Sequence, residues 1–125
     1  MQIERWSSKS NGRSRTVAFG DLIWTVAHGL PTETSFELQA SQSLSMLEAH
    51  LLEAGSAKTH LLSVQVILTN IANRQVFDRY WQEWIGPHPE HWPQRACYQG
   101  SLAPGLLGEL IAVAARASFP QMIRS

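Results

Sequence analysis

The sequence predicts an α+β fold in which a mixed β-sheet carries two helices on one face. Three observations point there. Strand-like alternation and helix-like spacing follow one another in the order strands, helix, strand, helix, strands; no segment repeats and no low-complexity linker divides the chain; and 125 residues suit one domain with its own core. Placing both helices on one side of a sheet is the simplest packing for that order. The other sheet face then needs a cover, and another subunit is one way to supply it. The chain, 1–125, reads as a single domain with its core at 16–116, a mobile N-terminal segment and a C-terminal tail.

The first 15 residues are polar, with Arg5, Arg13 and Arg15 among serines and Gly12, and only Ile3 to Trp6 suggests a short strand. From Thr16 to Ala27 two β-rich runs flank Gly20-Asp21, a turn-forming pair, which predicts a hairpin. Gly29 and Pro31 break the pattern. Thr34 then caps a helix whose apolar positions Phe36, Ala40, Leu44, Leu47 and Leu51 fall on one face, and Gly55 stands where a helix C′ residue belongs.

Leu62, Val64, Val66 and Leu68 alternate with Ser63, Gln65, Ile67 and Thr69, as in a strand with one more apolar face. Asn73 caps a second helix carrying Val76, Phe77, Tyr80, Trp81 and Trp84, ended by Gly86-Pro87. A loop, PHPEHWP, leads to two closing strands, Gln94 to Ser101 and Leu106 to Ala115, joined through Ala103-Pro104-Gly105. The tail SFPQMIRS is expected to be loose.

Ten basic and ten acidic residues leave no net charge, so no overall field draws the chain to nucleic acid or to an anionic membrane. The single cysteine, Cys97, cannot close an internal disulfide, and the start MQIERWSSKS lacks the apolar stretch of a signal peptide, which together suggest a reducing, cytoplasmic setting. No apolar run approaches the roughly 20 residues that span a bilayer. Five tryptophans are many for this length and hint at subunit contacts.

Between Arg95 and Arg116 only Glu109 is charged, and it lies inside the apolar run LLGELIAVAA. Burying a lone carboxylate is costly, so a partner, water or a ligand must answer it. An ion pair with Arg95 and a strand-edge Glu reaching solvent are the structural explanations. If the last two strands form a hairpin centred near Pro104, Glu109 faces Gln99 and Arg95 lies four residues further on the same face, with backbones about 13 Å apart at ~3.3 Å per residue. That gap suits a small molecule. Arginine grips a carboxylate with a planar fork, and a partly desolvated Glu109 can exchange protons with ligand or water. The two therefore point to proton-transfer chemistry on a small carboxylate.

Other candidates are weaker. Cys97 on a strand beside apolar residues reads as a packed small hydrophobe rather than a nucleophile. His88-Pro-Glu-His91 has ligand residue types but not the fixed helical spacing of a zinc motif, so no metal is expected there. His28, His50 and His60 are scattered, with no hydrolase triad signature. Trp81 and Trp84, three apart on a helix, indicate packing. Arg5, Arg13 and Arg15 fit a solvated terminus better than an RNA footprint.

The segment PQRACYQGSLAPGLLGELIAVAAR, with Pro93, Arg95, Cys97, Leu102 and Glu109, resembles the signature end of the RidA/YjgF family. The Gly20-Asp21 hairpin, SQSLSMLEAHLLEAGS and VQVILTNIANRQVFDRYWQEWI match its earlier elements, so the likeness runs from residue 16 to 116. The resemblance implies a chorismate-mutase-like α+β fold, a homotrimer with pockets between subunits, and hydrolysis of reactive enamines and imines such as 2-aminoacrylate to 2-keto acids and ammonia without a cofactor. It implies Arg95 as holder of the substrate carboxylate, Glu109 as the water-handling group, and backbone beside Cys97 in contact with the substrate nitrogen.

The chain departs from the family pattern where the pocket tyrosine gives way to a stretch around Arg13, the pocket serine to Val26 or Ala27, and the second-helix asparagine to Asp78. Val26 and Asp78 thus join Arg95 and Cys97 as expected substrate-binding positions, with Arg95 and Glu109 catalytic. The expected partners are a small carboxylate metabolite and two further copies of the chain, with no membrane, and nucleic acid is disfavoured. Enamine/imine deamination leads, a non-catalytic keto-acid-binding trimer stands second, and an endoribonuclease, an activity described for some relatives, third.

Overall fold

The computed structural model describes residues 1–117. Six strands, β1 (Ile3–Ser7), β2 (Ser14–Phe19), β3 (Leu22–His28), β4 (Leu61–Leu68), β5 (Gln94–Gln99) and β6 (Gly108–Ala115), form one mixed sheet in the order β1-β2-β3-β6-β4-β5. Two helices, α1 (Phe36–Glu53) and α2 (Arg74–Ile85), cover one face, as the α+β expectation holds. The sheet begins at Ile3, ahead of the expected core boundary at residue 16, and Arg116 ties that first strand down by pairing with Glu4 and donating to the Ala54 carbonyl at 2.9 Å. The tail expected to be loose lies outside the described residues.

Local chemistry explains most boundaries. β2 and β3 close on Gly20-Asp21 with Phe19 opposite Leu22, and Gly20 takes a φ of 61°, which the first central residue of a tight hairpin turn requires. Ser35 rather than Thr34 caps α1, its hydroxyl accepting from the Leu38 amide at 3.3 Å, because Thr34 lies one residue too early to reach the third helical amide. Leu44, Leu47 and Leu51 are buried as expected, and burying each such side chain contributes about 1.5–3 kcal/mol. In β4 the buried residue is Leu61 instead of Leu62, which is 48% exposed, since the pairing with β6 shifts between Leu61 and Ser63 and reverses the alternation there. Asn73 makes no side-chain cap; Asn70 instead caps the short turn ahead of α2, accepting from the Ala72 amide at 3.0 Å.

The last two strands do not form a hairpin. β5 pairs with β4 in parallel, with α2 as the crossover, while β6 runs antiparallel between β3 and β4. The reason lies in their side chains. β6 is apolar on both faces, as an interior strand must be, whereas β5 carries Gln94, Arg95, Tyr98 and Gln99 and suits a sheet edge. The connection between them is held by buried Gln39, whose side-chain nitrogen donates to the Glu33 and Gly105 carbonyls at 2.7 and 2.8 Å while its oxygen accepts from the Leu107 amide at 2.9 Å. Gly105, at φ 86°, passes so close to the Pro31 carbonyl that a Cβ there would lie 2.3 Å from its oxygen.

The face away from the helices is uncovered. Ile3, Phe19, Leu22, Trp24 and Tyr98 all project from it and are exposed. Among the described residues no helix is long and apolar enough to cross a membrane.

Candidate functional site

Arg95 lies opposite Val64 and Cys97 opposite Val66, so both side chains share the helix-covered face of the sheet at its β5 edge. There α2 supplies Arg95 with its surroundings. Its guanidinium donates to the Asp78 carboxylate at 2.5 Å and lies over the rings of Trp81 and Phe77, 5.2 and 5.7 Å from their centroids. The stacking positions a charge that is only 17% exposed, and the carboxylate compensates it. Arg95 and Asp78 line a cleft of about 660 Å³ with Trp81, Trp92, Pro93 and Glu83. That combination of apolar walls and a few charged groups is the common make-up of a small-molecule site.

Cys97, two residues along β5 from Arg95, is partly buried and packs against the core. Burial pushes its thiol above the ordinary range, outweighing the opposing pull of Arg95 and Arg74. A thiol held protonated is a poor nucleophile, which agrees with a packing role.

Glu109 stands elsewhere. It alternates with buried Leu110, Ala112 and Ala114, so its side chain is directed to the uncovered face, between Ile67 of β4 and His28 of β3. The expectation that Arg95 and Glu109 share a face is therefore corrected: with β4 between their strands, the register that set them about 13 Å apart does not exist. No ion pair joins them, and among the described residues no side chain bonds the Glu109 carboxylate. Val26, paired with Ile111, sits one step along the same face as Glu109, whereas Ala27 is buried under the helices. Of the two, Val26 is thus the residue on the face of Glu109, two positions along β3 from its direct partner His28. The ring of His28, next to Glu109, is fixed by a 2.8 Å hydrogen bond between Nδ1 and the Gly29 carbonyl.

The expected site residues consequently fall into two groups, Arg95 with Asp78 and Cys97 on one face, Glu109 with Val26 on the other. Two residues of the cleft, Trp92 and Glu83, carry no functional signal in the sequence beyond the proline-bracketed position of Trp92 shortly before Arg95; its indole donates to the Gly86 carbonyl at 2.9 Å. The neighbourhood of His28 and Glu109 follows only from the sheet order. Of the N-terminal arginines, Arg15 pairs with Glu53 and donates to the Ser7 carbonyl, so it is committed to the fold.

The family model described as Endoribonuclease L-PSP matches residues 3–116. A RutC family protein of Haemophilus ducreyi is 31% identical over 106 residues, 82% of this chain and 89% of that protein. Among solved structures, a YjgF-family protein of Neisseria meningitidis superposes with a TM-score of 0.85 at 22% identity, over 94% of this chain and 98% of its own. A Pseudomonas aeruginosa protein does so with a TM-score of 0.82 at 26% identity, over 93% and 100%. The family match runs from the first strand to Arg116; the chain belongs to the endoribonuclease L-PSP family, the RidA/YjgF group that its C-terminal segment resembles.

Proposed function

We propose that this chain hydrolyses reactive enamines and imines of small amino-acid-derived acids to 2-keto acids and ammonia, in a pocket completed between copies of a homotrimer. The observation that carries the reading is the placement of Arg95, a partly buried guanidinium stacked on two aromatic rings at the wall of a cleft. Its terminal nitrogens form a fork suited to a carboxylate. Glu109 supplies the proton-handling group, and because it faces the other side of the sheet, the Glu109 that serves a given Arg95 comes from a neighbouring copy. The exposed apolar residues of the uncovered face, Phe19 and Trp24 among them, support such an association.

In this scheme Arg95 fixes the substrate carboxylate. From the imine tautomer, Glu109 takes a proton from water as the water oxygen adds to the imine carbon and passes it to nitrogen; it then carries the carbinolamine hydroxyl proton to the same nitrogen, so that the carbon–oxygen double bond forms as the carbon–nitrogen bond breaks and ammonia leaves. Aminoacrylate generated enzymatically from serine tests it. Wild type should speed pyruvate release, while Arg95→Ala and Glu109→Gln should not. Release at the uncatalysed rate with wild type would contradict deamination. Binding of 2-keto acids in that case would favour the second reading, a non-catalytic carboxylate-binding trimer, to which the replacement of the family's pocket serine by Val26 lends weight.

A further inference from the structure

Arg95 does not meet a ligand as a free cation. Its Nη2 is 2.5 Å from Asp78 Oδ1, and the side chains of the pair are 17% and 30% exposed, so both charges face the same cleft. Formally they cancel. Glu83 adds a second negative charge to the lining. A plain carboxylate approaching the guanidinium is thus attracted by Arg95 and repelled by Asp78 over similar distances, in surroundings where Trp81 and Phe77 replace water. Among the described residues Arg95 donates to no group other than Asp78, so the remaining N–H groups of its fork are open to a ligand, and Asp78 Oδ2 has no protein donor.

From this geometry we infer that Asp78 is the specificity-determining residue of the cleft, selecting carboxylates that bear an adjacent cationic nitrogen over plain carboxylates. The inference rests on the carboxylate-pocket reading and narrows its substrate class. The ligand carboxylate takes the open edge of the Arg95 fork while its ammonium or iminium nitrogen donates to Asp78, so that each charge in the cleft meets its opposite. A keto acid leaves Asp78 facing an oxygen instead of a donor. Deamination then weakens the product's hold on the site, because the nitrogen that Asp78 binds is the group that leaves.

The test compares two probes of equal carbon count, L-2-aminobutyrate and 2-oxobutyrate, by calorimetry on the full chain. Wild type should bind 2-aminobutyrate about tenfold more tightly. The isosteric Asp78→Asn should lose that preference and bind 2-oxobutyrate more tightly than wild type does, and Arg95→Ala should lose both. Equal affinities in wild type, or a preference unchanged in Asp78→Asn, would overturn the role of Asp78 while leaving the carboxylate pocket standing. Binding of neither probe by wild type, or binding indifferent to Arg95→Ala, would overturn the pocket and the inference together. The wild-type comparison needs no variant, so a folding defect in Asp78→Asn cannot shield the proposal.

Discussion

Arg95 and Glu109, the only formally charged residues between Glu90 and Arg116, lie on opposite faces of the sheet with β4 between their strands. Neither can answer the other within one chain. Arg95 is answered instead by Asp78 across the β5–α2 contact, and Glu109 is left on a face that no helix covers. Any chemistry using both must draw on two copies.

Gln39 is the residue on which the approach to Glu109 depends structurally, because its side chain satisfies three backbone groups from the loops on either side. Gln39→Leu fills the same space but strands those groups. The three freed backbone groups are partly buried, and at roughly 1–3 kcal/mol for each one left unpaired, urea unfolding should register a loss of about 3 kcal/mol or more. A change within about 0.5 kcal/mol would mean that water takes over all three bonds.

His50 gives stability a pH dependence. Its ring bonds Thr25 at 3.1 Å, in a chain with Thr16, and burial together with the nearby Arg15 charge holds its pKa below the ordinary value of 6.5. The folded state then resists protonation more than the unfolded state does. Stability from this group is complete above about pH 6.5 and is lost as pH falls through the interval below it, where the unfolded chain binds the extra proton. Melting temperature should fall more steeply from pH 7.5 to 5.5 in wild type than in His50→Gln. Parallel slopes would assign the dependence to other groups.

What the sequence disclosed follows the range of the interactions involved. Gly20-Asp21, Gly55 and Gly86 mark a turn and two helix ends because each acts on its own backbone, at φ values of 61°, 84° and 85°. The apolar stripe of α1 was equally legible, while the inward-facing Gln39 and Ser43 on the same helix were not: the partners that permit burial of Gln39 lie in a loop more than sixty residues on. The β4 shift that exchanges Leu61 for Leu62 leaves no local mark.

The site was legible as residues and illegible as geometry. Arg95 and Glu109 stand out because charge is rare around them, and the family likeness gave them roles. Their separation depends on the order of β6, β4 and β5, for which sequence adjacency was the wrong guide. The apolar composition of β6 on both faces, Leu110, Ala112 and Ala114 on one and Ile111 and Val113 on the other, was the available sign that it lies inside the sheet and not in an edge hairpin. The Arg95–Asp78 pair joins a strand to a helix that precedes it, and no periodicity announces it.

Mixing two inactive variants tests the shared site most directly. In the proposed homotrimer, Arg95→Ala and Glu109→Gln chains, each purified and then unfolded and reassembled together in equal amounts, would give some pockets an intact Arg95 from one copy and an intact Glu109 from another. Random assembly makes about a quarter of the pockets whole, so aminoacrylate hydrolysis should return to about a quarter of the wild-type rate although neither variant alone is active. A mixture as inactive as its components, alongside active wild type reassembled in the same way, would contradict a pocket built from two copies.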